Sequence, residues 1–256
     1  MGKLFQNVAQ DDRRKIYPDA ESLTLGCASE IVRIAQEAVR DRGRFVWVLA
    51  GGSTPTPVYA EIAGTYAHAI EWERVLVFWG DERCVPPGDP RSNYRNACAS
   101  LLDHVPLPAS AVHRIRGEDE PTRAAAEYER AIRTVCGAHP PSALFDLVLL
   151  GLGENGHTAS LFPGLAAVRE ARQGVMAEYV PGEAMWRVTL TPLFLNSARE
   201  TIFLVSGAAK AAAVRGVLEG PQCPDVLPAQ AVRPANGRVR WLLDRAAADQ
   251  LGKSAH

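Results

Sequence analysis

The sequence predicts an α/β fold: a mostly parallel sheet with helices on both faces. Two observations lead there. Short apolar runs at residues 45–50, 75–79, 145–150, 201–205 and 239–243 alternate with stretches of helical period, as consecutive βα units do. Several of these runs end abruptly in glycine-rich or charged exits, and the carboxyl ends of strands are where open sheets of this kind bind ligands.

The elements follow in order. Leu23, Cys27, Ile31, Ile34, Ala35, Ala38 and Val39 recur at helical spacing, and Gly43 closes that helix as a C-cap. Strand 45–50 follows at once and exits into Gly51-Gly-Ser-Thr-Pro-Thr-Pro57, where Pro55 suits the first turn of a helix that turns Tyr59 and Ile62 inward. Strand 75–79 exits into Gly-Asp-Glu-Arg-Cys-Val-Pro-Pro, and a long polar loop leads to Ser92 as N-cap of a helix through Leu102. Residues 121–136 read as an amphipathic helix. The run 145–150 is apolar throughout, as in a strand covered on both sides. Gly151, Gly153 and Gly156 then allow a tight turn with backbone N–H groups free to face an anion, and Thr158 is expected to cap a short helix stopped by Pro163 and Gly164. Further strands fall at 186–190, 201–205 and 239–243, and residues 208–218 form a helix with Lys210 in its first turn. The Pro- and Gly-rich stretches 86–90 and 220–228 read as surface loops, so residues 1–256 are taken as one α/β domain whose last residues, 252–256, fray.

Charge is nearly balanced, with a formal net of -1, which argues against a nucleic-acid partner or an acidic membrane surface. The five cysteines are odd in number and widely spaced, with no metal-ligand spacing, and suit reduced thiols in the cytoplasm. The opening MGKLFQNVAQDDRRK is too charged for a signal peptide, and no apolar run approaches the ~18 residues of a membrane span. The expected assembly is a monomer or weak dimer.

The chemistry concentrates at the strand exits. Gly51, Gly52, Ser53 and Thr54 offer backbone N–H groups and hydroxyls to a phosphate, but lack the G-K-[ST] ending of a nucleotide loop. Asp81 and Arg83 bring an acid and a guanidinium, Lys210 an ammonium, and His157 an imidazole. Taken singly, the first of these would suit a simple tight turn, Asp81-Glu82-Arg83 a solvated charge cluster and Lys210 an exposed helical lysine. Gly151-Leu-Gly153-Glu-Asn-Gly156 matches the dinucleotide fingerprint literally, but only six residues separate Gly156 from Pro163, too few for the long helix that motif requires. A serine hydrolase is disfavoured because Gly51-Gly-Ser53-Thr-Pro55 lacks the final glycine of the nucleophile elbow. His157 is then left to act on water, with an imidazole pKa near ~6.5.

The blocks GGSTPTPVY (51–59), FWGDERCVP (78–86), RSNYRNA (91–97), GLGENGHTASLFPG (151–164), SGAAK (206–210) and LPAQAVRP (227–234) together resemble the bacterial lactonase branch of the glucosamine-6-phosphate isomerase/6-phosphogluconolactonase family. The resemblance covers nearly the whole chain. It implies a modified Rossmann-like fold and hydrolysis of 6-phospho-D-glucono-1,5-lactone to 6-phospho-D-gluconate, the second step of the oxidative pentose phosphate pathway, with no cofactor and no metal. By the same resemblance His157 is the general base, and Asp81 lines the site near the lactone ring. Arg83 and Lys210 hold phosphate or oxyanion, with the division between them open. Ser53, Thr54 and the Gly52 backbone complete the phosphate site, and Asn93 and Arg95 border it. Asn155 stands where many relatives carry Asp, and can position the imidazole without stabilising its cation electrostatically. An aldose–ketose isomerase/deaminase of an amino sugar phosphate is the nearest rival, but its histidine block resembles G-H-I-A-F-N-E-P, and Phe162 stands here in place of that glutamate. A non-catalytic sugar-phosphate sensor would call for a basic helix-turn-helix segment, and none is visible.

Overall fold

In the computed structural model, which describes residues 13–137 and 143–252, the large sheet is parallel throughout. The expectations for the N-terminus and the frayed C-terminus fall largely on residues 1–12 and 253–256, outside the described residues. The chain runs β1 (Arg14–Tyr17), α1 (Ala20–Arg42), β2 (Phe45–Leu49), α2 (Pro55–Thr65), β3 (Val75–Trp79), β4 (Asp81–Arg83), α3 (Asn93–Ser100) and α4 (Pro121–Cys136). It continues through β5 (Phe145–Leu150), β6 (Val175–Val180), β7 (Met185–Leu190), α5 (Pro192–Leu195), β8 (Ala198–Val205), α6 (Ala211–Glu219) and β9 (Arg238–Asp244).

Six strands pair in the order β1-β9-β8-β5-β2-β3, with β5 and β2 in the interior of the sheet and every one of their residues buried. With the right-handed crossovers that such units adopt, this order sets α1 and α2, which pack on each other, on one face and α4 and α6 on the other. Local chemistry sets the ends of these elements. Asp19 caps α1 by accepting from Ser22 N–H at 2.7 Å, and Gly43 ends it in the left-handed region at φ 73°. Strand β2 stops at Leu49 because the Tyr59 hydroxyl accepts from Ala50 N–H at 2.9 Å and donates to Ala50 C=O at 2.8 Å. Tyr128 makes the same pair of bonds to Trp79 at the end of β3. Phe45, Trp47, Phe78, Phe145 and Phe203 fill the core without solvent exposure above 1 %.

A second, antiparallel sheet of order β4-β7-β6 stands beside the first. Strand 186–190 was foreseen, but its place as the middle of this small sheet was not. Its neighbours left no readable period: β4 is the polar tripeptide Asp-Glu-Arg, and β6 follows a polar stretch. One local expectation is corrected. No helix follows Gly156; Thr158 pairs with Leu161 in an isolated antiparallel bridge, with Ala159 at φ 46°. The Thr158 hydroxyl donates to Gly151 C=O at 2.8 Å, so it ties the glycine turn shut instead of capping a helix. Among the described residues no helix is long and apolar enough to cross a membrane.

Candidate active site

The turn after β5 places an imidazole by removing side chains around it. A Cβ on Gly153 would lie 2.0 Å from His157 Nδ1, so only glycine lets the ring lie against the backbone there. The turn is closed by Gly153 N–H donating to His157 C=O at 2.8 Å. Asn155 Oδ1 lies 3.2 Å from the backbone N–H of His157 and 2.6 Å from its Nδ1. Because the backbone N–H can only donate, the atom facing it is the amide oxygen, and Nδ1 must then carry the ring proton. Nε2 is left as the unprotonated nitrogen. The ring stacks on Phe162 with centroids 4.3 Å apart and 23° between planes. Burial lowers the His157 pKa to about 4; Asp81 opposes that shift, while Arg187, Lys210 and Arg83 add to it. The imidazole is therefore neutral over a wider range than the ordinary value near ~6.5 implies.

Asp81, Glu82 and Arg83 are not a solvated charge cluster, since Asp81 and Glu82 are buried. Glu82 accepts from Arg83, Asn93 and Tyr94 N–H at 2.7–2.8 Å and from Ser92 Oγ at 3.0 Å, which anchors the start of α3. Asp81 accepts from Ser160 Oγ at 2.5 Å and from Asn93 Nδ2 at 3.2 Å. Asn93 Nδ2 also donates to Asp81 C=O at 2.9 Å, and its Oδ1 presses so near Gly51 that a Cβ there would lie 1.9 Å away. Gly51 is thus needed for close approach, and Gly52 for its φ of 99°.

Asp81, Arg83, His157, Lys210, Asn93 and the Gly51–Thr54 stretch all line one cavity of about 230 Å³. Two predicted residues stand apart from its lining. Asn155 acts on His157 from behind and borders an adjoining cleft, while Arg95 lies on the exposed face of α3. Lys210 ends a single 3-10 turn before α6, with its Nζ 3.8 Å from Glu154 Oε1. That turn is held by Asp244, which accepts from Ser206 Oγ and from Gly207 N–H. Sequence reasoning missed Arg187 and Ser160. Arg187, only 5 % exposed, projects from β7 directly opposite Arg83 and reaches Asp81 Oδ2 at 3.4 Å and Glu183. A lone charged residue inside a strand otherwise without charge was the available signal. Among the described residues no cluster of three or more His, Cys, Asp or Glu is arranged to hold a metal ion.

Comparison with known proteins adds an independent line. Residues 18–241 match the family described as glucosamine-6-phosphate isomerases/6-phosphogluconolactonase. A 6-phosphogluconolactonase of Nostoc is 37% identical over 240 residues, 93% of this chain and 97% of the relative. Its counterpart in Haemophilus influenzae is 36% identical over 200 residues, 78% of this chain and 84% of the relative. The solved 6-phosphogluconolactonase from Trypanosoma cruzi matches with a TM-score of 0.84 at 29% identity, covering 94% of this chain and 97% of that one.

Proposed function

The chain belongs to the glucosamine-6-phosphate isomerase/6-phosphogluconolactonase family, and on that premise we propose that it hydrolyses 6-phospho-D-glucono-1,5-lactone to 6-phospho-D-gluconate, the second step of the oxidative pentose phosphate pathway. The observation that favours hydrolysis over the family's isomerase chemistry is the His157–Phe162 stack. The isomerase histidine block carries a glutamate placed to help open the sugar ring, and the phenyl ring of Phe162 in that position cannot transfer protons. Ester hydrolysis needs only a base and a water.

In this reading the phosphate is held by the Gly51 and Gly52 backbone, the Ser53 and Thr54 hydroxyls, and the Lys210 and Arg83 cations, groups that share one cavity with His157. His157 Nε2 takes a proton from water as the water oxygen attacks C1, and the carbonyl oxygen becomes an oxyanion. The intermediate collapses with cleavage of the ring C1–O5 bond, and O5 leaves with the proton from the imidazolium. The acid product loses its remaining proton to solvent, and His157 is neutral again. Asp81 borders the ring and holds the nearby cations in place, and Asn155 acts only through His157. These steps require no metal and no cofactor. The free thiols of Cys27, Cys84, Cys98, Cys136 and Cys223 support a reducing compartment, the cytoplasm, and the assembly we propose is a monomer or weak dimer.

The test follows the lactone by NMR or a coupled assay with purified protein, corrected for spontaneous opening, beside His157→Ala. A fall of about 10²–10⁴-fold in kcat is expected for loss of a general base. Undiminished turnover in the variant rejects His157 as the base, and no acceleration by the wild type rejects the activity.

A further inference from the structure

We propose that Arg187 is a catalytic residue of this site: its guanidinium receives the oxyanion that forms at C1, exchanging Glu183 for the substrate as it does so. The inference rests on the lactone-hydrolysis reading and adds to it a residue the sequence motifs do not mark.

Three observations carry it. First, Arg187 is a buried cation whose donors are incompletely used. Its Nε–H meets no acceptor among the described residues, although the residue is only 5 % exposed and lines the cavity that holds His157. Its bond to Asp81 Oδ2 is long, at 3.4 Å, because that oxygen already accepts from Ser160 at 2.5 Å. A buried charged donor in this state is poised for an additional acceptor.

Second, the remaining partner is replaceable. Glu183 closes a short 3-10 turn, Pro181–Glu183, between β6 and β7, and its side chain is 38 % exposed, so it can be rehydrated when Arg187 turns to another anion. Asp81, by contrast, is buried and fixed on β4.

Third, position separates Arg187 from the other two cations. Its guanidinium carbon lies 5.9 Å from the centroid of Phe162, the ring on which His157 stacks at 4.3 Å. Arg83, facing it across the β4–β7 pair, donates instead to Arg91 C=O, and Lys210 is drawn toward Glu154. Of the three, Arg187 is the one tied into the stack that carries the base. A water activated by His157 delivers its oxygen to C1, so the electron pair displaced onto the carbonyl oxygen appears within the same corner of the cavity. Arg83 and Lys210 are then free to hold the phosphate at the other end of the substrate.

The experiment compares Arg187→Met, which keeps an apolar stem against Phe162 without the charge, with Arg187→Lys and wild type, at a temperature where each is folded. The expected result for the Met variant is a fall in kcat of about 10²–10³-fold with KM changed by less than about three-fold, and partial recovery in the Lys variant. The acid limb of the pH profile adds a second readout, of whether the Arg187 charge reaches His157. The charged groups facing His157 are Asp81 and Arg83 on β4, Arg187 on β7 and Lys210 before α6; removing the Arg187 cation from that set shifts the limb upward. A rise in KM with kcat retained would assign Arg187 to the phosphate and overturn the proposal, as would unchanged kinetics with only a lower Tm. Should the Met variant not fold, a crystal structure of the wild type with 6-phosphogluconate decides: the C1 carboxylate on Arg187 supports the assignment, and the phosphate on Arg187 overturns it. Absence of lactone turnover by the wild type would fail the functional reading itself, which no Arg187 result can do.

Discussion

Asn155 determines which nitrogen of His157 carries the unprotonated lone pair, and so which would act as the proposed base. Its Oδ1 accepts from both the backbone N–H and the ring Nδ1, so the catalytic lone pair is confined to Nε2. An amide does this without adding charge, and burial among cations then leaves the imidazole pKa at about 4. The sign of the consequence follows. The proposed mechanism requires neutral His157, so activity is retained well below neutral pH and its acid limb lies far to the acid side of an ordinary imidazole, near the free-protein value of about 4. Asn155→Asp places a carboxylate on Nδ1–H, stabilises the imidazolium and moves that acid limb upward, with kcat near pH 8 largely retained. A limb in the same place for both proteins would remove Asn155 as the orienting partner. Saturating substrate matters in this measurement because a phosphomonoester titrates near ~6 and would otherwise enter through binding. His157 and Asn155 were legible because glycines mark a strand exit. Arg187 and Ser160 were not, since each is brought to the site beside Asp81, more than 75 positions away in the chain, only by the fold.

At the scale of the element, legibility tracked burial on both faces. Strands β2, β3 and β5 are near-continuous apolar runs, and β3 and β5 coincide with the bounds read from sequence, whereas the edge strand β1, Arg-Lys-Ile-Tyr with three exposed residues, left no such run to read. The small sheet failed that reading because β4 consists of three polar residues whose side chains serve the site and the α3 terminus. Glu82 is the clearest case: it stands in a strand yet serves as an N-terminal anchor for α3, taking the N–H groups of Asn93 and Tyr94 and the Ser92 hydroxyl. The Ser92 side chain itself caps the next turn at Arg95 N–H. Glu82→Gln puts an amide NH₂ where those donors need an acceptor, at a cost of about 2–3 kcal/mol. Urea denaturation should show that loss as a lower midpoint at unchanged slope. A midpoint within error of wild type would mean that water replaces the carboxylate and that α3 needs no such anchor.

For the molecule as a whole, the site lies on the seam between the two sheets. The chain passes from β3 to β4 through Gly80 alone, whose N–H donates to Leu49 C=O on the large sheet while its C=O accepts from Leu190 N–H on the small one. Ser160 reinforces the seam by donating its hydroxyl to Asp81 at 2.5 Å and its backbone N–H to Thr189 Oγ1 at 3.2 Å. The Gly51–Thr54 turn and Lys210 come from the exits of β2 and β8, His157 from the exit of β5, and Arg83 and Arg187 from β4 and β7. An anionic ligand spanning the cavity must therefore cross-link the sheets. The product, 6-phosphogluconate, at 100 times its Kd should stabilise the native state by about 2.7 kcal/mol and raise Tm by about 5–10 °C. Binding to the large sheet alone could give the same Tm, so the discriminating measurement is hydrogen exchange. Slower exchange in both β4–β7 and the Gly51–Thr54 turn is expected with product bound. Protection confined to the turn would show that the ligand leaves the small sheet free, and would detach Arg83 and Arg187 from substrate together.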